Sequence, residues 1–100
     1  MELYVILRRR GWSTQASLDH ATVRARRVED QEMPDQVRWI RTYVLEENEG
    51  SLGTICVFEA SGLDAIRKHA SLADLPADEI VRVLETVVLR ADPDPEPAAA

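Results

Sequence analysis

The segment from Thr54 to Val83 constrains the fold of this chain more than any other part of the sequence. It begins with Ile55 to Phe58, a short apolar run that is typical of a buried strand. Ser61 then offers a cap for a helix, and Pro76 ends the helical pattern before a second run of β-branched residues. The segment therefore predicts a strand, a helix, a turn and a strand, in that order.

The first half of the chain shows the same alternation between strand and helix periods. Leu3 to Leu7 predicts a buried strand, and a helix capped by Ser13 or Thr14 should end before Pro34. Val37 to Leu45 is rich in β-branched and aromatic residues, which favours a strand that forms a hairpin with the next one. The buried face of the first helix is predicted to hold Leu18, Ala21, Ala25 and Val28.

The complete predicted order is strand, helix, strand, strand, helix, strand, with the last strand over Ile80 to Leu89. This order is the split βαβ arrangement. We therefore predict an α+β, ferredoxin-like βαββαβ fold with an antiparallel four-stranded sheet. We assign the domain to residues 1–90, and we predict a disordered tail over residues 91–100 because they hold three prolines and no large apolar side chain.

Charge and hydropathy limit the partners that we expect. The net charge is −6 and the isoelectric point is near 4.8, so the chain should repel a phosphate backbone and have no nucleic-acid partner. The N-terminal apolar run is shorter than the roughly 20 residues of a membrane span, and its arginines follow it, unlike those of a signal peptide. We expect a cytoplasmic protein with no membrane partner.

Arg8, Arg9 and Arg10 form a basic cluster in this acidic chain, at the end of the first predicted strand. Charged side chains at such a place commonly lie in solvent and prevent sheet edges from pairing. The alternative is that one of the three arginines binds an anion. The sequence leaves both interpretations open.

The predicted strands are apolar on both faces. In the third strand Cys56 and Phe58 point one way, while Ile55 and Val57 point the other. Both helices of a ferredoxin-like fold lie on one face of the sheet, so the second apolar face needs a different cover. Because two-fold pairs are the commonest oligomers, we expect a homodimer that packs sheet against sheet.

The sequences RWIRTYVLEE and CVFEASGLDAIRKHASLADLPADEI resemble a family of small bacterial proteins of largely unknown function. The family has a ferredoxin-like fold, includes nickel-binding members, and is related in architecture to the dimeric α/β-barrel proteins. The resemblance covers roughly residues 2–84 and implies the same fold, a dimeric α/β barrel, and a transition metal such as nickel as a candidate cofactor. Ser61 takes the place of a proline that is usual in the family.

The candidate metal ligands are His69, Cys56 and His20. Nickel-binding relatives carry further histidines near the end of the first strand, where this chain has Leu7, Arg8 and Arg9, and in a later turn, where it has Leu75. The resemblance therefore implies only His69 as a ligand. A divalent transition ion normally takes four or more ligands, and the three candidates include no close pair. Each also has another interpretation: Cys56 as a small core residue, His69 as a solvated or capping residue, and His20 as an isolated surface residue.

The candidate catalytic residues are His69 and Glu59, each as a base that removes a proton. Trp39 and Tyr43 are predicted to share one strand face and to line a ligand pocket, with Arg8 binding negative charge there. Aromatic residues at strand period are also typical of a core or an interface, and Glu59 is also explained as an exposed charge at a strand end.

Two functions from different classes therefore stay open. The first is a non-catalytic accessory protein, a homodimer that binds a small ligand or a metal between sheet and helices. The second is a cofactor-light enzyme, similar in architecture to small monooxygenases and isomerases, that acts on a small aromatic substrate. The sequence has few inward-facing polar groups, which favours the first, and no Gly-rich phosphate loop, which argues against a nucleotide cofactor.

Overall fold

Strands and helices alternate along the chain in the predicted order. The computed structural model describes residues 1–94. Its strands are β1 (Glu2–Trp12), β2 (Val37–Glu46), β3 (Leu52–Ala60) and β4 (Glu79–Arg82), and its helices are α1 (Gln15–Glu32) and α2 (Leu63–Leu72). A single helical turn, Asn48–Gly50, joins β2 to β3. The α+β, ferredoxin-like class is confirmed.

All neighbouring strands of the sheet are antiparallel, and their order is β2-β3-β1-β4. β1 and β3 are therefore central, while β2 and β4 lie at the edges. Tyr4 pairs with Phe58 and Ile6 with Cys56, and these four side chains are buried beneath the helices. We call this side of the sheet the covered face and the other side the open face.

Helix α1 begins and ends where the sequence predicts. Thr14 is its N-cap, and the hydroxyl of Thr14 accepts a hydrogen bond of 3.1 Å from the backbone N–H of Ser17. Met33 closes the helix by donating its backbone N–H to the carbonyl of Val28, immediately before Pro34. The buried residues are the four that helical spacing predicts, Leu18, Ala21, Ala25 and Val28.

Helix α2 differs from the expectation at its start. Ser61 does not cap it, since it lies one residue before the N-cap position, and its backbone N–H donates to the carbonyl of Gln36. Gly62 is the N-cap residue and provides no side-chain hydrogen bond. The face that α2 buries consists of Ala65, Ile66, His69 and Ala70.

The last strand is much shorter than predicted, since β4 ends at Arg82 instead of Leu89. Val83 still donates its N–H to the carbonyl of Leu3, but β1 begins at Glu2. Because β4 runs antiparallel toward the start of β1, no residue of β1 is left to pair with it beyond about residue 84. Beyond that point Leu84 and Leu89 are 95% and 91% exposed.

The segment after β4 crosses in front of the open face, and we call residues 83–92 the C-terminal arm. Residues 91–94 form no helix or strand, and residues 95–100 lie outside the described residues. The disordered tail predicted over 91–100 therefore stays a prediction. No helix within residues 1–94 is long and apolar enough to cross a membrane.

Candidate functional site

Two β-bulges shape the space between the sheet and α1. The pairing of β1 with β3 shifts between Arg8 and Trp12, where Arg10 has a positive φ of 50°. The pairing of β2 with β3 shifts between Trp39 and Arg41. The β2 shift inserts one extra residue, which reverses the side that the following side chains face, whereas the β1 shift inserts two and leaves that side unchanged.

The second bulge brings Trp39 and Thr42 onto the covered face, although they are three residues apart. Trp39 pairs with Phe58, and Thr42 pairs with Cys56, whose side chain is buried on that face. The indole Nε1 of Trp39 donates to the hydroxyl of Thr42 at 2.7 Å, and its ring stacks on Phe58 with ring centroids 5.5 Å apart.

The prediction that Trp39 and Tyr43 line one pocket is wrong. Tyr43 pairs with Ile55 on the open face, where its hydroxyl donates to a carboxylate oxygen of Asp92 at 2.6 Å. The two aromatic rings are thus separated by the sheet. The cause is the extra residue, Ile40, which breaks the period of two on which the prediction depended.

A small cavity lies on the covered face between the sheet and α1, closed at one end by the loop before β4. Its free volume is about 20 Å³, and roughly 10–15 Å³ suffices for one water molecule. The cavity is therefore too small for an aromatic substrate. Both tryptophans of the chain line it, together with Arg8, Leu18, Ala21, Thr22, Ala25, Thr42, Thr54, Cys56, Phe58 and Leu75.

Arg8 is the charged group of this cavity. It is 1% exposed, which corrects the expectation of a solvated strand end: Arg8 pairs with Thr54 on the covered face, before the β1 bulge. Its Nε donates to the carbonyl of Pro76 at 2.6 Å, and its Nη1 donates to the sulfur of Cys56 at 3.2 Å. Its Nη2 is buried and has no hydrogen-bond partner in residues 1–94.

The electrostatic setting of Arg8 is unusual because no carboxylate lies within 4.0 Å of its guanidinium among the described residues. Burial lowers the pKa of Arg8, while the sulfur of Cys56 and the carboxylate of Asp78 oppose that change. A guanidinium nevertheless keeps its proton in proteins. The cavity therefore contains a buried positive charge without a full counter-charge.

Cys56 is a polar contact as well as a core residue. It is 3% exposed, and its sulfur receives hydrogen bonds from Nη1 of Arg8 and from the hydroxyl of Thr42, both at 3.2 Å. The hydroxyl of Thr54 lies 3.7 Å away. A guanidinium beside the sulfur repels a second cation, so this thiol is poorly placed to bind a metal ion.

His69 joins the two helices. It is 1% exposed, and its Nε2 donates to the carbonyl of Ala25 in α1 at 3.0 Å. Its ring lies 5.2 Å from that of Phe58, centroid to centroid. Burial lowers the pKa of His69, the hydrogen bond to Ala25 opposes this, and the charge of Arg8 lowers it further. His69 is thus a neutral packing residue at pH 7, neither solvated nor capping.

The other two predicted residues lie away from the cavity. His20 is exposed on α1. Glu59 pairs with Leu3 on the open face and lies 3.5 Å from Nη1 of Arg38. The predicted catalytic pair of His69 and Glu59 is therefore divided between the two sides of the sheet.

The predicted metal ligands do not come together either. Within residues 1–94 no three His, Cys, Asp or Glu side chains are close enough to hold a metal ion. His69 bonds to Ala25, Cys56 bonds to Arg8, and His20 lies in solvent. These residues do not fit a nickel centre within one chain.

Trp12, Thr42 and Thr54 line the cavity but were not predicted from the sequence. The face of Thr42 depends on the β2 bulge, which hydrophobic period does not reveal, whereas Thr54 follows Cys56 and Phe58 at a period of two. One signal was present, since Gly53 interrupts the apolar pattern of β3, and a glycine inside a strand often marks a bulge or a close approach. A Cβ at Gly53 would lie 2.7 Å from the carbonyl oxygen of Arg8.

Comparison with known proteins agrees with the fold. Residues 4–83 match the family described as "Nickel responsive protein SCO4226-like". The chain is also similar to the crystal structure of SCO4226 from Streptomyces coelicolor A3(2), with 19% identity and a TM-score of 0.65. That alignment covers 85% of this chain and 99% of the other, and it shows a shared fold. No curated protein matches.

Proposed function

The chain belongs to the nickel-responsive SCO4226-like family, and from this membership we propose that it is a non-catalytic accessory protein that acts as a homodimer. We further propose that it binds a small ligand in the cavity between the sheet and α1. The open face of the sheet is the observation that carries the dimer, because that face is apolar and has no helix over it.

The open face is apolar on its central strands and has one apolar side chain on each edge strand, Tyr43 on β2 and Val81 on β4, beside charged ones. Val5 pairs with Val57 on one side and with Val81 on the other, so three valines lie side by side. Toward the edges Val81 is 47% exposed and Tyr43 is 43% exposed. A contiguous apolar surface of this kind is typical of a protein interface.

The C-terminal arm lies over part of the open face and adds further exposed apolar side chains to that surface. Asp92 anchors it, accepting hydrogen bonds from Nη1 of Arg41 at 2.5 Å and from the hydroxyl of Tyr43. Between this anchor and β4, Val87 and Val88 are each 71% exposed. A second copy packed against the open face would remove these groups from water, at about 25 cal/mol per Å² of apolar surface.

The catalytic alternative has less support. The cavity has no room for an aromatic ring, and His69 and Glu59 lie on opposite sides of the sheet. A general base needs to lie within hydrogen-bond reach of the substrate proton that it removes. Binding without chemistry is therefore the function that we propose.

Family membership is the only support for a link between this chain and nickel. The family description links its members to a nickel response, and we propose that this chain acts in that setting. No nickel site is assigned to it, since no three-ligand group exists within residues 1–94. A cytoplasmic location, without nucleic-acid or membrane partners, completes the proposal.

Sedimentation velocity at micromolar concentration tests the dimer. We expect a dimer for the wild type and a monomer for Val81→Lys, because a lysine there places a charge on the open face. Val23→Lys is the matched control, since Val23 is 68% exposed on α1, away from that face, and this variant should stay dimeric. A wild-type monomer would contradict the proposal.

Calorimetric titration with nickel, on protein purified without an affinity tag, tests the metal assignment. We expect equal heats for the wild type and for His69→Gln, because His69 is already bonded to Ala25. Loss of a saturable nickel signal in His69→Gln would instead restore His69 as a ligand.

A further inference from the structure

We propose that the cavity on the covered face binds a small monovalent anion, of the size of a halide or formate, at Nη2 of Arg8. This inference names the ligand class for the binding role proposed above, and it does not depend on the dimer. It follows from the unpaired donor, the uncompensated charge, and the size and lining of the cavity.

The first observation is that Arg8 has one N–H group without a partner among the described residues. Nε and Nη1 of Arg8 already have partners in Pro76 and Cys56, whereas the buried Nη2 has none within the described part of the chain. An unpaired buried N–H destabilises a fold, so native structures supply a partner for nearly all such groups. Here the partner has to come from outside the described residues.

The charge favours an anion over water as that partner. A buried guanidinium loses its hydration, and without a nearby opposite charge no electrostatic attraction offsets that cost. Asp78 is the acidic residue that acts most directly on Arg8, but its carboxylate accepts a hydrogen bond of 3.2 Å from the backbone N–H of Arg9 instead. An anion at Nη2 would satisfy the donor and balance the charge at once.

The lining suits a small monovalent anion. No Asp or Glu side chain lines the cavity, so nothing there repels negative charge. The side opposite the sheet is formed by Leu18, Ala21 and Ala25, a low-dielectric wall that disfavours a divalent ion such as phosphate. The volume of about 20 Å³ admits a halide or the head of a small carboxylate, and nothing larger.

An ion can reach the cavity without unfolding the protein. Thr22 is exposed on α1, and Trp12 and Leu75 are half-buried, so these three side chains form a rim in contact with solvent. The anion would pass between α1 and the loop before β4 and meet the guanidinium inside.

Fluorescence provides a direct test, because Trp12 and Trp39 are the only tryptophans in the chain and both line the cavity. Bromide quenches tryptophan on contact. We titrate bromide at constant ionic strength, with gluconate as the replacement anion. The expected result for the wild type is a quenching component that saturates with concentration. Acrylamide, a neutral quencher, should give no saturating component.

Two variants identify the residue responsible. Arg8→Met is expected to lose the saturating component, with affinity for bromide lowered at least tenfold. Arg9→Met makes the same change of charge at the neighbouring arginine, whose side chain is 65% exposed, and it should quench like the wild type. Quenching that rises without saturation in the wild type, or equal curves for the two variants, would overturn the proposal.

Crystals grown in bromide keep the proposal testable if Arg8→Met fails to fold. An anomalous bromide peak in contact with Nη2 of Arg8 is expected in the wild type. A water molecule there, with no anomalous signal, would overturn the anion site. Sedimentation of the same proteins in solution reports the dimer separately. A protein that lacks the anion site but still forms a dimer would contradict this proposal and leave the proposed dimer unaffected.

Discussion

The two faces of the sheet differ in a way that reverses the usual arrangement. The covered face, beneath the helices, encloses a guanidinium, a thiol and a histidine among its apolar side chains. The open face, which has no helix over it, is apolar at its centre, as at Val5 and Val57, and carries charged side chains nearer its edges, such as Arg41 and Glu79. Neighbouring residues of β1 lie on different faces, since Arg8 lies on the covered face and Leu7 on the open face. The position of Arg8 in the register of β1 therefore decides that its charge lies on the covered face.

This difference assigns separate roles to the two faces. A buried charge in a small cavity is suited to binding a small ligand, whereas an apolar sheet without a helix over it is suited to a second protein surface. The following substitutions test the separation, from the largest expected effect to the smallest.

The strongest test compares Ile6→Ala with Leu7→Ala, adjacent residues of β1 on opposite faces. Ile6 is fully buried on the covered face, so its truncation should lower the free energy of unfolding by about 2–5 kcal/mol. Leu7 is only partly buried in the single chain, and its truncation should cost roughly 1 kcal/mol.

Urea denaturation over a range of protein concentrations checks this pair. The cost of Ile6→Ala should not depend on concentration, whereas that of Leu7→Ala should increase as the dimer forms and buries the open face. Equal costs for both variants at all concentrations would mean that the two faces are equally buried in the monomer.

Gly53→Ala tests the close approach of β3 to the backbone of Arg8, beside the cavity. A Cβ at Gly53 would lie 2.7 Å from the carbonyl oxygen of Arg8 and would also meet the carboxylate of Glu47. We expect a loss of about 1–3 kcal/mol in the free energy of unfolding, because backbone has to move. Gly62→Ala is the control, since nothing lies within 4 Å of a Cβ built there. Equal stability of the two variants would contradict the close approach.

The β2 bulge explains which parts of this molecule could be predicted from its sequence and which could not. The fold was predictable because the helix faces follow a helical period and the strands are separated by clear turns, so Leu18, Ala21, Ala25 and Val28 were assigned correctly. The cavity was not, because an inserted residue reverses the side chains after it. Thr42 was missed and Tyr43 was assigned to the wrong face for that one reason.

The burial of Arg8 was unpredictable for a related reason. In sequence it stands with Arg9 and Arg10, and three adjacent arginines at a strand end indicate a solvated surface. The structure divides them, since Arg8 still pairs with Thr54 before the bulge, while Arg9 and Arg10 lie exposed. The sequence shows that three arginines are adjacent, but only the strand register shows which of them lies on the covered face.

A smaller effect is expected from pH, through His69. Burial lowers its pKa below the ordinary value of 6.5, so the unfolded chain binds more protons than the folded one between those two values. Stability should be complete above about pH 6.5 and should decrease as the pH falls below it, by at most about 1.4 kcal/mol per pH unit.

Urea denaturation at several values of pH between 5 and 8 measures this slope. His69→Gln keeps a side-chain donor for the carbonyl of Ala25 but does not titrate, so its slope should be smaller than that of the wild type. His20→Gln is the control, because His20 is exposed on α1, and it should keep the wild-type slope. If both variants keep that slope, other groups cause the acid sensitivity.

The smallest effect is expected from Asp92→Asn, which removes the anchor of the C-terminal arm. The hydroxyl of Tyr43 and the guanidinium of Arg41 hold the pKa of Asp92 below its ordinary value, so the contact is present at neutral pH and is lost as the pH falls through the lowered value. Hydrogen exchange should become faster at Val83, the arm residue whose N–H donates to the carbonyl of Leu3, and stay unchanged at the amides of β1 and β3. Asp94→Asn is the control, since Asp94 lies exposed near the end of the described chain. Faster exchange in Ile6 and Cys56 as well would show that the arm stabilises the covered face, and the two faces would then not be energetically separate.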